Sequence, residues 1–252
     1  MLRQAFAPNA QRSRVVGGTV IPAPVEGWDA SSPLAAMDSK RAIELENWFP
    51  QPGYIEVRRG SARHAYGMGS STSVESIMVW DGPTTRKMWA AAGTVIYDAT
   101  SNATATSTVT SLSNARWQHV NFTTSGGHFL FIVNGADSPR HYNGTSWATP
   151  TITGITASDA IGVNVHKNRI WMVLNQSTKA AYLPVNAVAG AATEFELGAL
   201  FSKGGTLQAM GTWSIDAGEG IDDLAAFVSS RGQVAIYRGT DPDSAATWGL
   251  VG

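Results

Sequence analysis

Cysteine is absent from this chain of 252 residues. That excludes disulfide stapling, thiolate nucleophiles and zinc sites built on sulfur. Charge is scarce too: Asp, Glu, Lys and Arg supply 15% of the residues, against roughly 25% in an ordinary soluble domain. The formal net charge is −1, so there is no basic excess of the kind that grips phosphates. The same neutrality suits a conduit through which DNA slides without sticking. No run approaches the length of apolar residues that a membrane-spanning helix needs, and no apolar stretch follows Arg3 in the manner of a secretion signal. What is abundant is equally informative. Glycine occurs 26 times and tryptophan nine times, and hydrophobic residues make up 43%. With much Ser, Thr and Asn, this composition describes short strands, many turns and a substantial core.

A motif of about forty residues recurs four times. Each copy contains a short apolar run, at 88–92, 129–133, 170–174 and 224–228, whose starts are separated by 41, 41 and 54 residues. A tyrosine follows each run: Tyr97, Tyr142, Tyr182 and Tyr237, at offsets of 9, 13, 12 and 13 residues. Candidate strands precede the runs at 77–80, 119–122, 161–165 and 207–213, and follow the tyrosines at 107–112, 149–153, 194–197 and 247–251. The runs do not alternate, which predicts strands buried on both faces. Asp81-Gly82, Asn134-Gly135, Asn143-Gly144 and Arg231-Gly232 supply turn signals. Four strands per repeat at this period is the pattern of β-propeller blades. The expected fold class is therefore all-β, with about four antiparallel propeller-like blades at 74–252. The repeats run to the end of the sequence, which predicts either a compact ring of four or, preferably, part of a larger ring in a longer chain.

Ahead of the repeats, 1–27 reads as an extended arm with Pro8, Pro22 and Pro24. Residues 28–73 read as an entry segment. Asp38 is the expected N-cap of a short helix carrying Ala42, Ile43 and Leu45, ended at Asn47-Trp48-Phe49-Pro50, and a strand follows at 54–58.

Several segments resemble the nozzle (tail-hub) proteins of short-tailed bacteriophages. One is Gly27-Trp28-Asp29-Ala30-Ser31-Ser32-Pro33-Leu34, followed by Ala42-Ile43-Glu44-Leu45-Glu46-Asn47-Trp48-Phe49-Pro50 and Val57-Arg58-Arg59-Gly60. Others are Asn134-Gly135-Ala136-Asp137-Ser138-Pro139-Arg140 and Tyr182-Leu183-Pro184-Val185-Asn186-Ala187. The most specific is Gly211-Thr212-Trp213-Ser214-Ile215-Asp216-Ala217-Gly218-Glu219-Gly220-Ile221-Asp222-Asp223, continuing to Tyr237-Arg238-Gly239-Thr240-Asp241-Pro242. The resemblance implies a non-enzymatic, propeller-bearing virion subunit, made in the host cytoplasm and typically present in six copies. It would sit below the portal–adaptor complex, extend the DNA channel with only transient DNA contact, and carry spikes or fibres. Members are usually longer, with further β repeats. On this reading Trp28, Trp48 and Phe49 anchor the entry segment, and Trp213, Asp216, Asp222 and Asp223 organise the loop before the fourth buried run. Arg58, Arg59 and Arg63, with His64, form a candidate interface to an acidic adaptor surface or the DNA lumen, or else a solvated strand end.

Signals for chemistry are weak. The acidic group Asp216, Glu219, Asp222 and Asp223 lacks the spacing of an EF-hand loop, so Asx turns are expected there and no metal or cofactor is assigned. The five histidines form no H-E-x-x-H pattern, and no G-x-S-x-G occurs. Asp216 with Asp223 would be the least unfavourable pair for glycoside hydrolysis. The alternative function is a glycan-binding propeller recognising a host surface. That needs Trp or Tyr at matching loop tips in every repeat, whereas Trp89 and Trp171 lie inside the buried runs.

Overall fold

The computed structural model describes residues 20–69, 73–216 and 221–252, excepting the side chains at 215, 216, 221 and 222. Residues 1–19 of the expected arm lie outside the described residues. The chain divides into two compact units, Met1–Ala62 and Arg63–Gly252.

The first unit contains β1 (Gly27–Trp28) paired in parallel with β2 (Arg41–Ala42), and a hairpin of β3 (Trp48–Gln51) with β4 (Tyr54–Val57). The short helix expected after Asp38 does not form. Instead Asp38 closes a turn: its Oδ1 accepts the Lys40 amide at 2.8 Å, and its carbonyl accepts the Arg41 amide at 3.0 Å. The Lys40 and Ala42 carbonyls, which a helix would need, accept the Glu26 and Asp29 amides at 3.0 and 2.9 Å. The segment is too short to offset helix nucleation, so pairing with the preceding chain wins.

The second unit consists mainly of four four-stranded antiparallel sheets, each a meander read off the chain in order. The first is β5 (Val74–Asp81), β6 (Arg86–Ala92), β7 (Val95–Asp98) and β8 (Thr106–Val109). The second is β9 (Gln118–Thr124), β10 (Gly127–Val133), β11 (Arg140–Tyr142) and β12 (Trp147–Ala148). A separate strand, β13 (Ile152–Thr153), comes before the third sheet of β14 (Ala160–His166), β15 (Arg169–Leu174), β16 (Lys179–Tyr182) and β18 (Thr193–Glu196), with β17 (Gly190–Ala191) pairing back to β13 in parallel. The fourth is β19 (Leu207–Asp216), β20 (Ile221–Ser229), β21 (Val234–Gly239) and β22 (Trp248–Leu250). Helical structure among the described residues is confined to the 3-10 turns Ala157–Asp159 and Gly198–Leu200.

The four apolar runs fall inside β6, β10, β15 and β20, and the tyrosines inside β7, β11, β16 and β21. One expected strand is displaced. The outer strand of the second repeat is Trp147–Ala148 and not 149–153. The Asn143 side chain accepts the Thr145 and Ser146 amides, both at 2.9 Å, which brings Trp147 opposite Tyr142. Pro150, with no amide hydrogen, then ends the pairing.

Burial explains the stacking. Strand β15 is buried along its whole length, and its residues divide by alternation between two cores. Met172 and Leu174 join Phe131 and Val133 of the second sheet, while Trp171 and Val173 join Ala225 and Phe227 of the fourth. Strand β10 divides likewise, sending Leu130 and Ile132 to Met78, Trp80 and Trp89 of the first sheet. Successive sheets also touch through their first strands, β5 with β9, β9 with β14 and β14 with β19. Among the described residues no contact of similar extent joins β19 back to β5.

Polar clips fasten these first strands together. Asn121 donates to the Val79 carbonyl at 2.8 Å and accepts the Asp81 amide at 3.0 Å. Asn164 donates to the Met210 carbonyl at 3.1 Å, and Thr212 to the Val165 carbonyl at 3.0 Å. In each case a group on one sheet satisfies backbone that its own ladder leaves free.

Two of the turn glycines answer to packing. A Cβ on Gly82 would lie 2.2 Å from the Trp80 ring, and one on Gly144 would lie 2.8 Å from it. The ring is held in place by its Nε1 donating to the His128 carbonyl at 3.0 Å and by edge contact with Tyr142. Gly82→Ala is therefore expected to lower stability by about 1–3 kcal/mol, the usual range for overpacking. Gly249→Ala, where a Cβ meets nothing within 4 Å, should stay within about 0.5 kcal/mol of wild type. Urea unfolding of the two variants checks both values.

Candidate assembly surfaces

The described residues of the first unit form almost no interior. Asp29 is the single buried residue among its described residues. Its carboxylate accepts the Ser31 amide at 2.9 Å, the Ser31 hydroxyl at 3.0 Å and the Ser32 amide at 3.0 Å, with the Arg41 guanidinium 3.6 Å away. These hydrogen bonds, the Ser32 amide foremost, hold the carboxyl well below the usual carboxylate range. The loop 29–32 is thus organised around one polar group, and the apolar side chains are left outside.

Trp28, Trp48 and Phe49 are 67, 48 and 50% exposed. Trp28 is oriented by its indole N–H, which donates to the Ile43 carbonyl at 2.9 Å. Trp48 and Phe49 are placed by the β3–β4 register, opposite Val57 and Glu56, and the hairpin turns at Gly53 with φ +86°. Leu34, Ile43, Tyr54 and Val57 are exposed as well. An apolar cleft of about 540 Å³ runs past Pro24, Leu45, Trp48, Tyr54 and Ile55. Contiguous exposed apolar surface of this kind marks an interaction site. It was legible only in part, since Leu34, Tyr54 and Val57 carried no special spacing.

The basic residues divide between the units. Arg58 and Arg59 are exposed on the first, where Arg59 Nε pairs with Glu56 Oε1 at 3.0 Å; Arg63, also exposed, opens the second. Surface pairs of this kind contribute little to stability.

In the fourth sheet, Trp213 is 54% exposed on the face of β19 that points away from the third sheet. Asp223 accepts from the Ser214 hydroxyl at 2.6 Å and lies 3.6 Å from Lys167 Nζ. The Ser214 hydrogen bond, aided by Lys167, holds its carboxyl below the ordinary range. Asp216 is in register with Ile221 and Asp222 with Ile215; their side chains, and residues 217–220 including Glu219, lie outside the described residues. No group of three or more His, Asp or Glu side chains suited to a metal occurs among the described residues.

Next to Asp223 lies His166. It is buried, with Nδ1 3.1 Å from the Thr212 hydroxyl and its ring edge-on to Trp248. A neighbouring ionic cluster was not anticipated. The Arg169 guanidinium reaches Asp241 at 2.8 Å and Asp243 at 3.8 Å and lies 5.4 Å over the Tyr182 ring. The Tyr182 hydroxyl donates to Asp243. Burial first, and then Asp243, pushes the Tyr182 hydroxyl up to about 12. The cluster ties strands of the third sheet to the loop between β21 and β22. Its two halves, Arg169 with Tyr182 and Asp241 with Asp243, stand more than fifty residues apart in the sequence, beyond the reach of local spacing.

No protein-family model matches the sequence, and no match emerges among curated proteins. No helix among the described residues is long and apolar enough to cross a membrane.

Burial, followed by the Lys167 ammonium, pushes the His166 imidazole down from 6.5 to about 4, with Asp223 acting weakly in the opposite sense. Between those values the unfolded chain binds a proton that the folded chain does not. The His166 contribution to stability should therefore be lost as pH drops through this window and stay constant below it. His119 and His141, also lowered by burial, contribute to the same loss. His166→Gln is expected to make the decline shallower by up to one proton, about 1.4 kcal/mol per pH unit at its steepest. Urea unfolding at pH 7, 6 and 5 measures the slope.

Proposed function

We propose that this chain is a structural, non-enzymatic subunit of a bacteriophage tail, a nozzle or tail-hub component below the portal–adaptor complex. Its four meander sheets are the blades of a β-propeller, complete or part of a larger ring. The observation that carries the reading is the first unit: among its described residues none but Asp29 is buried, and the exposed Trp28, Trp48 and Phe49 fall within the stretch that resembles the nozzle family. Such a surface suits docking on neighbouring tail proteins, the adaptor above and spikes or fibres outside. Copies assemble around the channel, six by the resemblance, and the low, balanced charge lets DNA pass with only transient contact. The protein is made in the host cytoplasm and ends in the virion.

For the glycan-binding alternative, Trp89 and Trp171 are buried between sheets and cannot stack on sugars, and the exposed tryptophans occupy unrelated positions.

Particles produced without the chain are expected to carry filled heads, to lack the distal tail and to lose infectivity. Particles that stay infectious, with intact tails, would overturn the reading. The double variant Trp48→Ser, Phe49→Ser should reduce incorporation into particles about tenfold, since each removes a large apolar anchor from an interface. Its unfolding midpoint in urea should match that of wild type, because neither side chain is in a core.

A further inference from the structure

The β3–β4 hairpin has two different faces. Register sets Trp48 opposite Val57 and Pro50 opposite Ile55, so Trp48 and Ile55 share one face, while Phe49 lies on the other. The cleft of about 540 Å³ follows the Trp48 face, bounded by Pro24, Glu44, Leu45 and, at the hairpin turn, Tyr54. Trp48 is 48% and Tyr54 56% exposed. Three of the lining residues have polar groups without protein partners. Among the described residues the Trp48 indole N–H and the Tyr54 hydroxyl make no hydrogen bond, and Glu44 makes no ion pair. The nearby Trp28 differs, because its N–H already donates to the Ile43 carbonyl.

We infer that this cleft binds an extended, proline-rich segment of a partner protein that carries a lysine or arginine. Three observations select this occupant. The lining is aromatic and aliphatic, and flat rings suit the rigid faces of proline in the polyproline II conformation. That conformation has no internal hydrogen bonds, so its carbonyls need donors, and Trp48 and Tyr54 supply two. Prolines lack the amide hydrogen and ask for few acceptors in return. Finally, Glu44 is the one charged residue of the lining, and charge complementarity calls for a cation on the segment. An α-helix in the same place would bring free carbonyls only at its C-terminal turn. A strand added to the hairpin edge would need backbone groups and not side-chain donors.

The chain itself packs prolines here from one side. Its own Ile21-Pro22-Ala23-Pro24 stretch has no regular pairing, and Ala23 and Pro24 form part of the cleft wall.

The inference rests on the docking role given to Trp48 above and not on the viral assignment. Its test uses the purified full chain with peptides, so particles that prove infectious without the chain would leave it standing. A yeast-displayed library of random twelve-residue peptides is sorted against the chain. Selected sequences are expected to be enriched at least threefold in proline and in Lys or Arg over the unsorted library. The best peptide, titrated by fluorescence anisotropy, should bind Trp48→Ser at least tenfold more weakly. Trp48→Phe, which keeps a ring but lacks the N–H, should lose about threefold to tenfold, the worth of one hydrogen bond. Glu44→Gln should no longer distinguish the peptide from a form whose cation is replaced by glutamine, while the need for proline persists. Phe49→Ser, on the opposite hairpin face, should bind as wild type does. Selected sequences without proline enrichment, binding that survives Trp48→Ser, or no saturation up to about 1 mM peptide would overturn the inference. So would self-association of the chain that Trp48→Ser abolishes, since the face would then belong to a second copy.

Discussion

The stacking of the sheets depends on apolar burial on both faces of β10 and β15, the second strands of the second and third sheets. A sheet covered on one side alternates apolar and polar residues, and its exposed face supplies solubility. Here β10 and β15 surrender that polar face. Water is excluded on two sides, and each strand is stabilised by two separate cores. The low charge follows, because positions that would carry Lys or Glu on an ordinary sheet carry Phe, Ile, Met and Trp. The aromatic density follows as well. Trp171 lies within 6 Å of the Tyr182, Phe195, Phe227 and Trp248 rings, and pairs in such geometry add about 0.5–1.5 kcal/mol each beyond area burial.

What was legible in the sequence is what double-sided burial writes locally. Continuous apolar runs located β6, β10, β15 and β20, and their spacing located the repeats. Features settled by distant partners were not legible. The tyrosines recur at similar offsets, yet they do not share a direction: Tyr142 joins the core with the preceding sheet, while Tyr182 joins the core with the following one. A constant spacing cannot reveal that change: each of the two tyrosines pairs with the second residue of its run, Leu130 or Trp171, and those residues face opposite ways. Asp81-Gly82 and Asn143-Gly144 were visible as turns, but the demand for glycine comes from the Trp80 ring. The Arg169 cluster joins segments that approach only after the sheets stack.

The first unit shows the opposite failure. Asp38 followed by Ala42, Ile43 and Leu45 has the residue types of a short helix, and a local reading favours one. Backbone pairing of Glu26 and Asp29 with Lys40 and Ala42 removes the carbonyls that the helix requires. The exposed aromatics then follow from topology. Among the described residues the first unit is two strand pairs with a single buried carboxylate, and no isolated two-stranded unit makes a stable core by itself.

Alternation along β10 has a wider effect. Leu130 and Phe131 are consecutive in the chain, yet they belong to different cores. Each such strand is therefore a hinge of cooperativity, shared by two neighbouring compartments and owned by neither. Loosening one compartment weakens the next through a common backbone, and disturbance travels stepwise along the stack in the manner of a nearest-neighbour lattice. Strands β10 and β15, each held by two cores, are where such a lattice resists melting longest.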